Sequence, residues 1–449
     1  MTTTELTNID TDWVGTYSEQ IAALRDPESR YYQEPKSGLQ TALAISEATD
    51  SILLKMWEHC LQELPEFDQQ IIREGMLMIA VGGSGRAELA PYSDTDLLFI
   101  YNPACYLQAR KLMDRFIPLT WDVGLKPGSN FTTTARMIEI CKENLESASA
   151  VAESRLLWGS ETSFSRFRKL FYKKVIKHRL RAFIDACIAA RANEQEQLGS
   201  TTRHLQPNVK KSKGGLRDLH LLRWIAYAHY QVTDFETLKL MGVLSREDVR
   251  TLQAAQDLLL RIRINMHLHA DRAHDVLDAD EQIRLAQEFG YQDDETLRDV
   301  ESFMRDYFLK TSAQAELVER FVASHKIESR LVRMSRLLTT LRVENDFIMS
   351  PDYIMVPPRA QHLLQGRLKH ILRLYRSTAY YSKLPDPQLT QLLMEAAQKI
   401  EEPPTGEEAT IFMEHLALPG FLNESIRHMF RTEVLDRVIP QFSHVRNLL

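Results

Sequence analysis

Residues 76–101 read MLMIAVGGSGRAELAPYSDTDLLFIY, and the fold turns on them. The apolar run Met76–Val81 predicts a buried strand ending in a tight turn at Gly82, Gly83, Ser84 and Gly85. A polar stretch, Arg86 to Ser93, follows, and Asp94–Tyr101 predicts a second strand. Asp94 and Asp96 stand at i and i+2, so on a strand their side chains share a face. Two carboxylates so placed repel each other unless a cation lies between them. Mg²⁺ takes oxygen ligands, a few from protein and the rest from substrate phosphates. Upstream, the glycine turn lets the backbone approach a ligand and aims N–H groups at it. Ser84 adds a hydroxyl and Arg86 a fixed positive charge. Taken singly, an Asp-x-Asp is most often a solvated strand end and a GGxG a plain turn. Together, between two strand-like runs, they describe a phosphoryl- or nucleotidyl-transfer site. The glycines are not followed by GK[ST] and do not form GxGxxG, which excludes a Walker A loop and a dinucleotide fingerprint.

Working outward, Leu107–Ile117 predicts a helix and Trp121–Thr134 a third strand, so this part mixes α and β. The first 75 residues have helical spacing, punctuated by Pro27, Pro35 and Pro65. From Thr134 to about Lys326 the pattern is almost wholly helical, with one break at His204–Gly215. Residues 330–358 are mixed, with β-branched and aromatic residues around Asp346–Val356, and the rest returns to helical spacing. The expected fold class is α+β: a small mixed sheet packed with helices, then a large all-α region. The expected parts are a helical leader (1–74), a transferase core (75–160), a helical domain facing the nucleotide (161–326) and a mainly helical segment (327–449).

Composition agrees. Seventeen Gly and 17 Pro in 449 residues are too few for a linker-dominated or disordered chain. The formal charge of −6 argues against a wholesale nucleic-acid binder but leaves room for a local basic site. No apolar run reaches the ~18 residues of a membrane span, and the polar, acidic N-terminus does not read as a signal peptide. Four scattered cysteines, none in a CxxC, suit a reduced cytoplasmic protein.

A second cluster holds Lys210, Lys211, Lys213, Gly214, Gly215, Arg217 and Asp218. Three lysines and an arginine flank a glycine turn that opens a helix, and a helix N-terminus attracts anions. Alone this is an ordinary basic loop. The basic run Arg166–Arg181, interleaved with Phe167, Leu170, Phe171, Val175 and Ile176, reads as an amphipathic helix with a solvated face. His267, near Arg263 and Arg272, reads as a structural histidine, and the His274-Asp275 dipeptide as incidental.

The glycine pair followed about ten residues on by Asp-x-Asp resembles the DNA-polymerase-β-like nucleotidyltransferases. GGSGRAELAPYSDTDLLF is more closely similar to the N-terminal part of the bifunctional PII uridylyltransferase/uridylyl-removing family. Similar segments follow in order: Leu119–Leu125, Glu153–Gly159 ("ESRLL"), Pro207–Leu219, Arg261–His267 with Arg272, and Ile439–His444. The resemblance covers roughly residues 40–449. It implies transfer of UMP from UTP to a tyrosine of the PII signalling protein, with release of pyrophosphate. It also implies Mg²⁺ on Asp94 and Asp96. Gly82, Gly83, Ser84 and Gly85 would bind phosphates. Arg86 would steady the triphosphate or pair with Glu88. Lys213, Gly214, Gly215, Arg217 and Asp218 would form the far wall of the nucleotide site. The family's HD phosphohydrolase and ACT domains would follow where this chain stops, so no uridylyl-removing activity is expected of it, and truncation is favoured. One departure stands out: relatives commonly carry Glu where this chain has Lys126, and Asp122 could replace that carboxylate only with a shift of strand register. Two other readings therefore remain. One is transfer of a different nucleotide, such as AMP, or to a different protein. The other is a non-catalytic nucleotide-binding module.

Overall fold

The computed structural model describes residues 12–32, 37–198, 205–293, 297–326, 341–343, 346–350, 353–364, 368–400, 402–418 and 420–442. Helices lead into the sheet: α1 (Asp12–Ala23), α2 (Gly38–Gln62) and α3 (Glu66–Gly75). α2 begins with a capping box, the Ser37 hydroxyl accepting from the Gln40 N–H while the Gln40 side chain accepts from the Ser37 N–H. Two amides that a helix start leaves unpaired are thereby satisfied. β1 (Met76–Ala80) follows and is buried throughout. The glycines expected to form a tight turn form instead a short helix, α4 (Gly82–Arg86). Gly82 opens it at φ +54°, a conformation that glycine adopts without steric cost.

β2 (Thr95–Tyr101) runs antiparallel to β1, with Met78 opposite Phe99 and Ala80 opposite Leu97. α5 (Tyr106–Asp122) then crosses over to β3 (Pro127–Thr132), which lies parallel to β2. The expected third strand is therefore shorter: Trp121 and Asp122 belong to the end of α5. α6 (Thr134–Glu143) and α7 (Leu145–Ala152) lead to β4 (Arg155–Gly159), antiparallel to β1 on its other side. β4 lies where helical spacing was expected. Its five residues are too few to display a period of two, and their partners are far away in sequence. The sheet order is β3-β2-β1-β4. On one face Met76, Met78, Leu97 and Phe99 pack under α2 and α5, with Trp57 stacked on Phe99 at 5.5 Å and edge-on to Phe116 at 5.0 Å. By the alternation of strands, Asp96 points to the opposite face.

The helical part comprises α8 (Glu161–Phe171), α9 (Leu180–Leu198), α10 (Leu216–Tyr230), α11 (Phe235–Leu240), α12 (Arg246–Ala270), α13 (Ala279–Glu288) and α14 (Asp299–His325). The basic run continues α8 through a π-helical turn, Tyr172–Ile176, with Phe167, Phe171, Val175 and Ile176 buried, as an amphipathic segment requires. α12 lies tightly against the start of α2. A Cβ on Gly38 would stand 2.2 Å from the Asp257 carbonyl oxygen, and the Leu39 N–H donates to the Asp257 carboxylate at 3.0 Å. Residues 1–325 form one compact unit.

Lys326–Leu449 forms a second unit. Its strands β5 (Leu341–Val343), β6 (Phe347–Met349), β7 (Tyr353–Met355) and β8 (Leu384–Pro385) make a small sheet in that order. Helices Leu368–Tyr381, Pro387–Gln398, Gly406–Leu416 and Leu422–Arg431 accompany it, around Ile371, Leu372, Tyr375, Leu393 and Met429. Of the sequence features above, the first eleven residues, Pro35, His204, residues 327–340, 344–345 and 351–352, and Ser443–His444 lie outside the described residues.

Candidate active site

Asp96 is the second residue of β2 and Asp94 stands just before the strand, both on the rim of a cavity of about 230 Å³ in the first unit. Asp94 is exposed and Asp96 half-buried. The Asp96 carboxylate is seated between two glycines. A Cβ on Gly82 would stand 3.0 Å from its Oδ2, and one on Gly128, its register partner on β3, 2.8 Å from its Oδ1. Only glycines leave room for the group there. Burial, and then the charge of Asp94, push the Asp96 pKa above the usual carboxylate range. A like-charged pair of this kind is relieved by a cation.

Ser84 is buried, and its hydroxyl accepts from the Asp96 N–H at 3.0 Å, so it holds the strand that carries the acid. Gly85 is a close-approach position: a Cβ there would stand 2.2 Å from the Glu153 carbonyl oxygen. Neither lines the cavity, whereas Gly82 and Gly83 do.

Arg86 also faces the cavity, but its guanidinium is spoken for. It donates to Glu88 at 2.9 Å and, more tightly, to Glu153. Of the two roles open to it, the ion pair with Glu88 is made. Glu88 in turn accepts from Arg223 and from Gln256, the latter at 2.5 Å, with His220 Nε2 3.6 Å away. Burial raises the Glu88 pKa, but Arg223, His220 and Arg86 outweigh it and hold the carboxyl well below the usual range. Glu153 goes the other way, burial pushing it up more than Arg86 pulls it down. The Arg86 guanidinium is held above its usual value by Glu153 and Glu88, against the effect of burial.

The opposite wall comes from the loop before α10. Lys210 and Arg217 line the cavity, and neither side chain makes an ion pair or hydrogen bond among the described residues. Burial, then Arg263, lower the Lys210 pKa to about 8. Of the other residues of the cluster, Lys211 is exposed, while Gly214, Gly215 and Asp218 are buried. Asp218 is buried, accepts from Arg191 at 2.6 Å and caps the Gly214 N–H at 2.6 Å. Lys213 pairs with Glu319 at 2.5 Å. Gly214, at φ +81°, packs against Thr311 of α14, and the Gln314 amide donates to the Gly214 and Gly215 carbonyls. The N–H groups of Leu216, Arg217 and Asp218 donate to the carbonyls of Val209, Lys210 and Gly215. The amides expected to attract an anion are thus used within the loop, and the cations it offers to the cavity are the side chains of Lys210 and Arg217.

Further lining residues escaped sequence reasoning as site residues: Tyr92, Glu146, His220, Trp224 and Arg263. His267 is fully buried and hydrogen-bonded, its Nε2 3.3 Å from Asp275, which also accepts from Arg263 at 2.7 Å. Burial raises the Asp275 pKa, but His267 and Arg263 outweigh it and the carboxyl is held below the ordinary range. The side chain of the His274-Asp275 dipeptide that faces the cavity therefore belongs to a structural network. Lys126 is exposed just before β3, and its carbonyl accepts from the Thr95 N–H at 3.1 Å. Asp122 ends α5, off the sheet. Among the described residues no group of three or more His, Cys, Asp or Glu side chains is placed to share a metal ion. The acidic pair stands by itself.

Residues 182–322 match the family model described as GlnD PII-uridylyltransferase. The chain is 28% identical over 423 residues to the bifunctional uridylyltransferase/uridylyl-removing enzyme of Rhodospirillum rubrum, covering 93% of this chain and 45% of that one. With the Azospirillum brasilense enzyme it shares 30% identity over 378 residues, 82% of this chain and 40% of the other. With that of Burkholderia vietnamiensis it shares 29% over 410 residues, 90% and 45%. The chain thus spans less than half the length of the curated relatives it matches. By these matches, the chain is a relative of the bifunctional uridylyltransferase/uridylyl-removing enzymes.

Proposed function

We propose that this chain transfers UMP from UTP to a tyrosine hydroxyl of a PII signalling protein, with Mg²⁺. The observation that carries the reading is one cavity with two neighbouring carboxylates, Asp94 and Asp96, on its rim and two cations on its wall, Lys210 and Arg217, whose side chains make no ion pair among the described residues. The donor set suits Mg²⁺: two protein carboxylates that repel each other, with positions left for phosphate oxygens. When bound, the ion neutralises phosphate charge and lowers the pKa of an attacking hydroxyl. The chain's own work is positioning. Gly82 and Gly128 fix where the Asp96 carboxylate can lie, and Ser84 fixes the strand beneath it. Lys210 and Arg217 attract the triphosphate. In the transfer, the acceptor hydroxyl releases its proton to solvent, its oxygen bonds to the α-phosphorus, and the bond from that phosphorus to the pyrophosphate oxygen breaks, releasing pyrophosphate. The test is incubation of the chain with labelled UTP, Mg²⁺ and a PII protein. Label on PII supports the reading, and AMP transfer in preference to UMP would replace it with the adenylylating one. Nucleotide binding without pyrophosphate release would favour a binding module.

Two expectations follow from the geometry. Gly128→Ala places a methyl against Asp96 Oδ1 on an exposed strand, at a position whose backbone alanine tolerates. Transfer should fall about 100-fold, the cost of an ångström's misplacement, with little change in melting temperature. Wild-type rates in this variant would refute the seating of Asp96. Lys210 binds an anion best when protonated. Triphosphate affinity should therefore weaken as pH rises through about 8, by about tenfold between pH 7 and pH 9. In Lys210→Arg the affinity should be flat over that range, which titration calorimetry would reveal.

A further inference from the structure

We infer that Arg25, in the helical leader, is a positioning residue for Asp94: its guanidinium clips the loop that carries this acid to the turn before β3. This rests on the nucleotide-transfer reading above.

Asp96 is held by the ladder of β2, but Asp94 stands outside it, since the strand begins at Thr95. The loop before Asp94 therefore decides where its carboxylate lies. Arg25 Nε donates to the Pro91 carbonyl of that loop at 3.3 Å, and Arg25 Nη2 donates to the Gly124 carbonyl at 2.8 Å. The guanidinium carbon also lies 5.0 Å from the centre of the Tyr92 ring, and Tyr92 lines the cavity together with Asp94. Gly124 belongs to the turn that leads into β3 and so to Gly128, which seats Asp96. One side chain thus ties together the approaches to both acids.

The partners are telling for a half-buried cation. Among the described residues Arg25 pairs with no carboxylate, and its side chain donates only to main-chain carbonyls. A planar guanidinium can span two acceptors while its face lies on a ring; the point charge of a lysine cannot do all three. The anchor itself is firm. The neighbouring Leu24 is buried in the same core cluster as Trp57 and Phe116, and its carbonyl accepts from the Tyr32 hydroxyl at 2.6 Å. The loop's other ties are local or run to α12. The Ala90 N–H donates to the Ser93 hydroxyl at 3.0 Å, the Ser93 N–H to the Ala90 carbonyl at 2.9 Å, and the Tyr92 N–H to His267 Nδ1 at 3.4 Å. Arg25 is what joins this loop to the β3 side of the site.

The test uses the whole chain and Mn²⁺, which takes the same oxygen ligands as Mg²⁺ and is followed by electron paramagnetic resonance; tripolyphosphate affinity is measured by calorimetry without metal. Arg25→Ala should bind Mn²⁺ about tenfold more weakly than wild type, the usual cost of losing a group that orients a metal ligand. Its tripolyphosphate affinity should stay within about twofold, because Lys210 and Arg217 are untouched. The sign is decisive: by charge alone, removing a cation tightens cation binding. Arg25→Lys keeps the charge and loses the fork, and should also bind Mn²⁺ more weakly than wild type. Amide exchange at Ala90, Tyr92 and Ser93 should quicken in both variants. Unchanged or tighter Mn²⁺ binding in a folded Arg25→Ala overturns the inference, and so does an equal loss of tripolyphosphate affinity, which marks a general loosening. If Arg25→Ala does not fold, Arg25→Lys decides by the same criteria. Wild type that binds neither Mn²⁺ nor tripolyphosphate removes the transfer reading itself, and exchange at Ala90, Tyr92 and Ser93 then decides whether Arg25 holds the loop.

Discussion

Asp96→Asn is expected to lower UMP transfer by about three orders of magnitude or more while making the protein slightly more stable. The substitution is nearly isosteric, so the side chain still fits between Gly82 and Gly128, and the backbone N–H at position 96 can still donate to Ser84. What is lost is the charge. Holding a divalent ion against a triphosphate contributes several kcal/mol to the transition state, and ~4 kcal/mol is about a thousandfold in rate. The stability change has the opposite sign. Folding raises the Asp96 pKa through burial and through Asp94, so the ionised carboxylate is less favourable in the folded than in the unfolded chain. The group's favourable contribution is present at low pH and is lost as pH rises through its raised pKa. At neutral pH an uncharged asparagine removes that cost. The melting temperature should rise without Mg²⁺, and the rise that Mg²⁺ gives wild type should shrink or vanish in the variant. A variant that keeps more than about a tenth of the transfer rate would remove Asp96 from the chemistry. A lower melting temperature would show that its charge is structural.

That opposition of activity and stability, once measured, marks the acidic pair as a site rather than as a strand end. The pair could be singled out in the sequence because it is local, two apolar runs flanking an i, i+2 spacing; the expected strand over Asp94–Tyr101 begins at Thr95, so only Asp96 lies on it. The second cluster was readable only in part. Which of its lysines faces the cavity depends on Gly214 at φ +81° and on Asp218 drawing in the Gly214 N–H, so Lys213 turns to Glu319 and Lys210 to the cavity. Loop conformation of that kind leaves no periodic trace. Gly128 matters through its register with Asp96, which no local pattern encodes. The same holds for β4, whose Arg155 pairs with Ala80 and also reaches Asp50 at 2.7 Å and the Ser84 carbonyl at 2.9 Å. The Glu153–Gly159 segment was noticed through resemblance, but not that it forms a strand, nor that Glu153 would meet Arg86.

The most consequential of these long-range meetings is at Glu88, and its loss should be the most destabilising single change near the site. Glu88 lies between Arg86 and Arg223 and also accepts from Gln256. Its side chain is 7% exposed. Glu88→Ala leaves Arg223 buried without its counter-charge and Arg86 with Glu153 alone, a loss of about 3–5 kcal/mol. Glu88→Gln keeps the shape and removes only the charge. It should cost nearly as much, which separates electrostatics from packing. All five tryptophans, Trp13, Trp57, Trp121, Trp158 and Trp224, lie in the first unit, so denaturation followed by tryptophan fluorescence reports that unit alone. The pH dependence gives an independent check. The Glu88 pKa is held far below the unfolded value of about 4.3, so its contribution is complete above that value and is lost as pH falls toward the folded one. Wild type should therefore lose stability steeply below about pH 4, and Glu88→Gln should lose less over the same interval because it has already forfeited that contribution. A cost below about 1 kcal/mol in both variants would mean that Arg223 and Arg86 find solvent or other partners, and that the cluster does not brace the wall from which Glu153 faces the cavity.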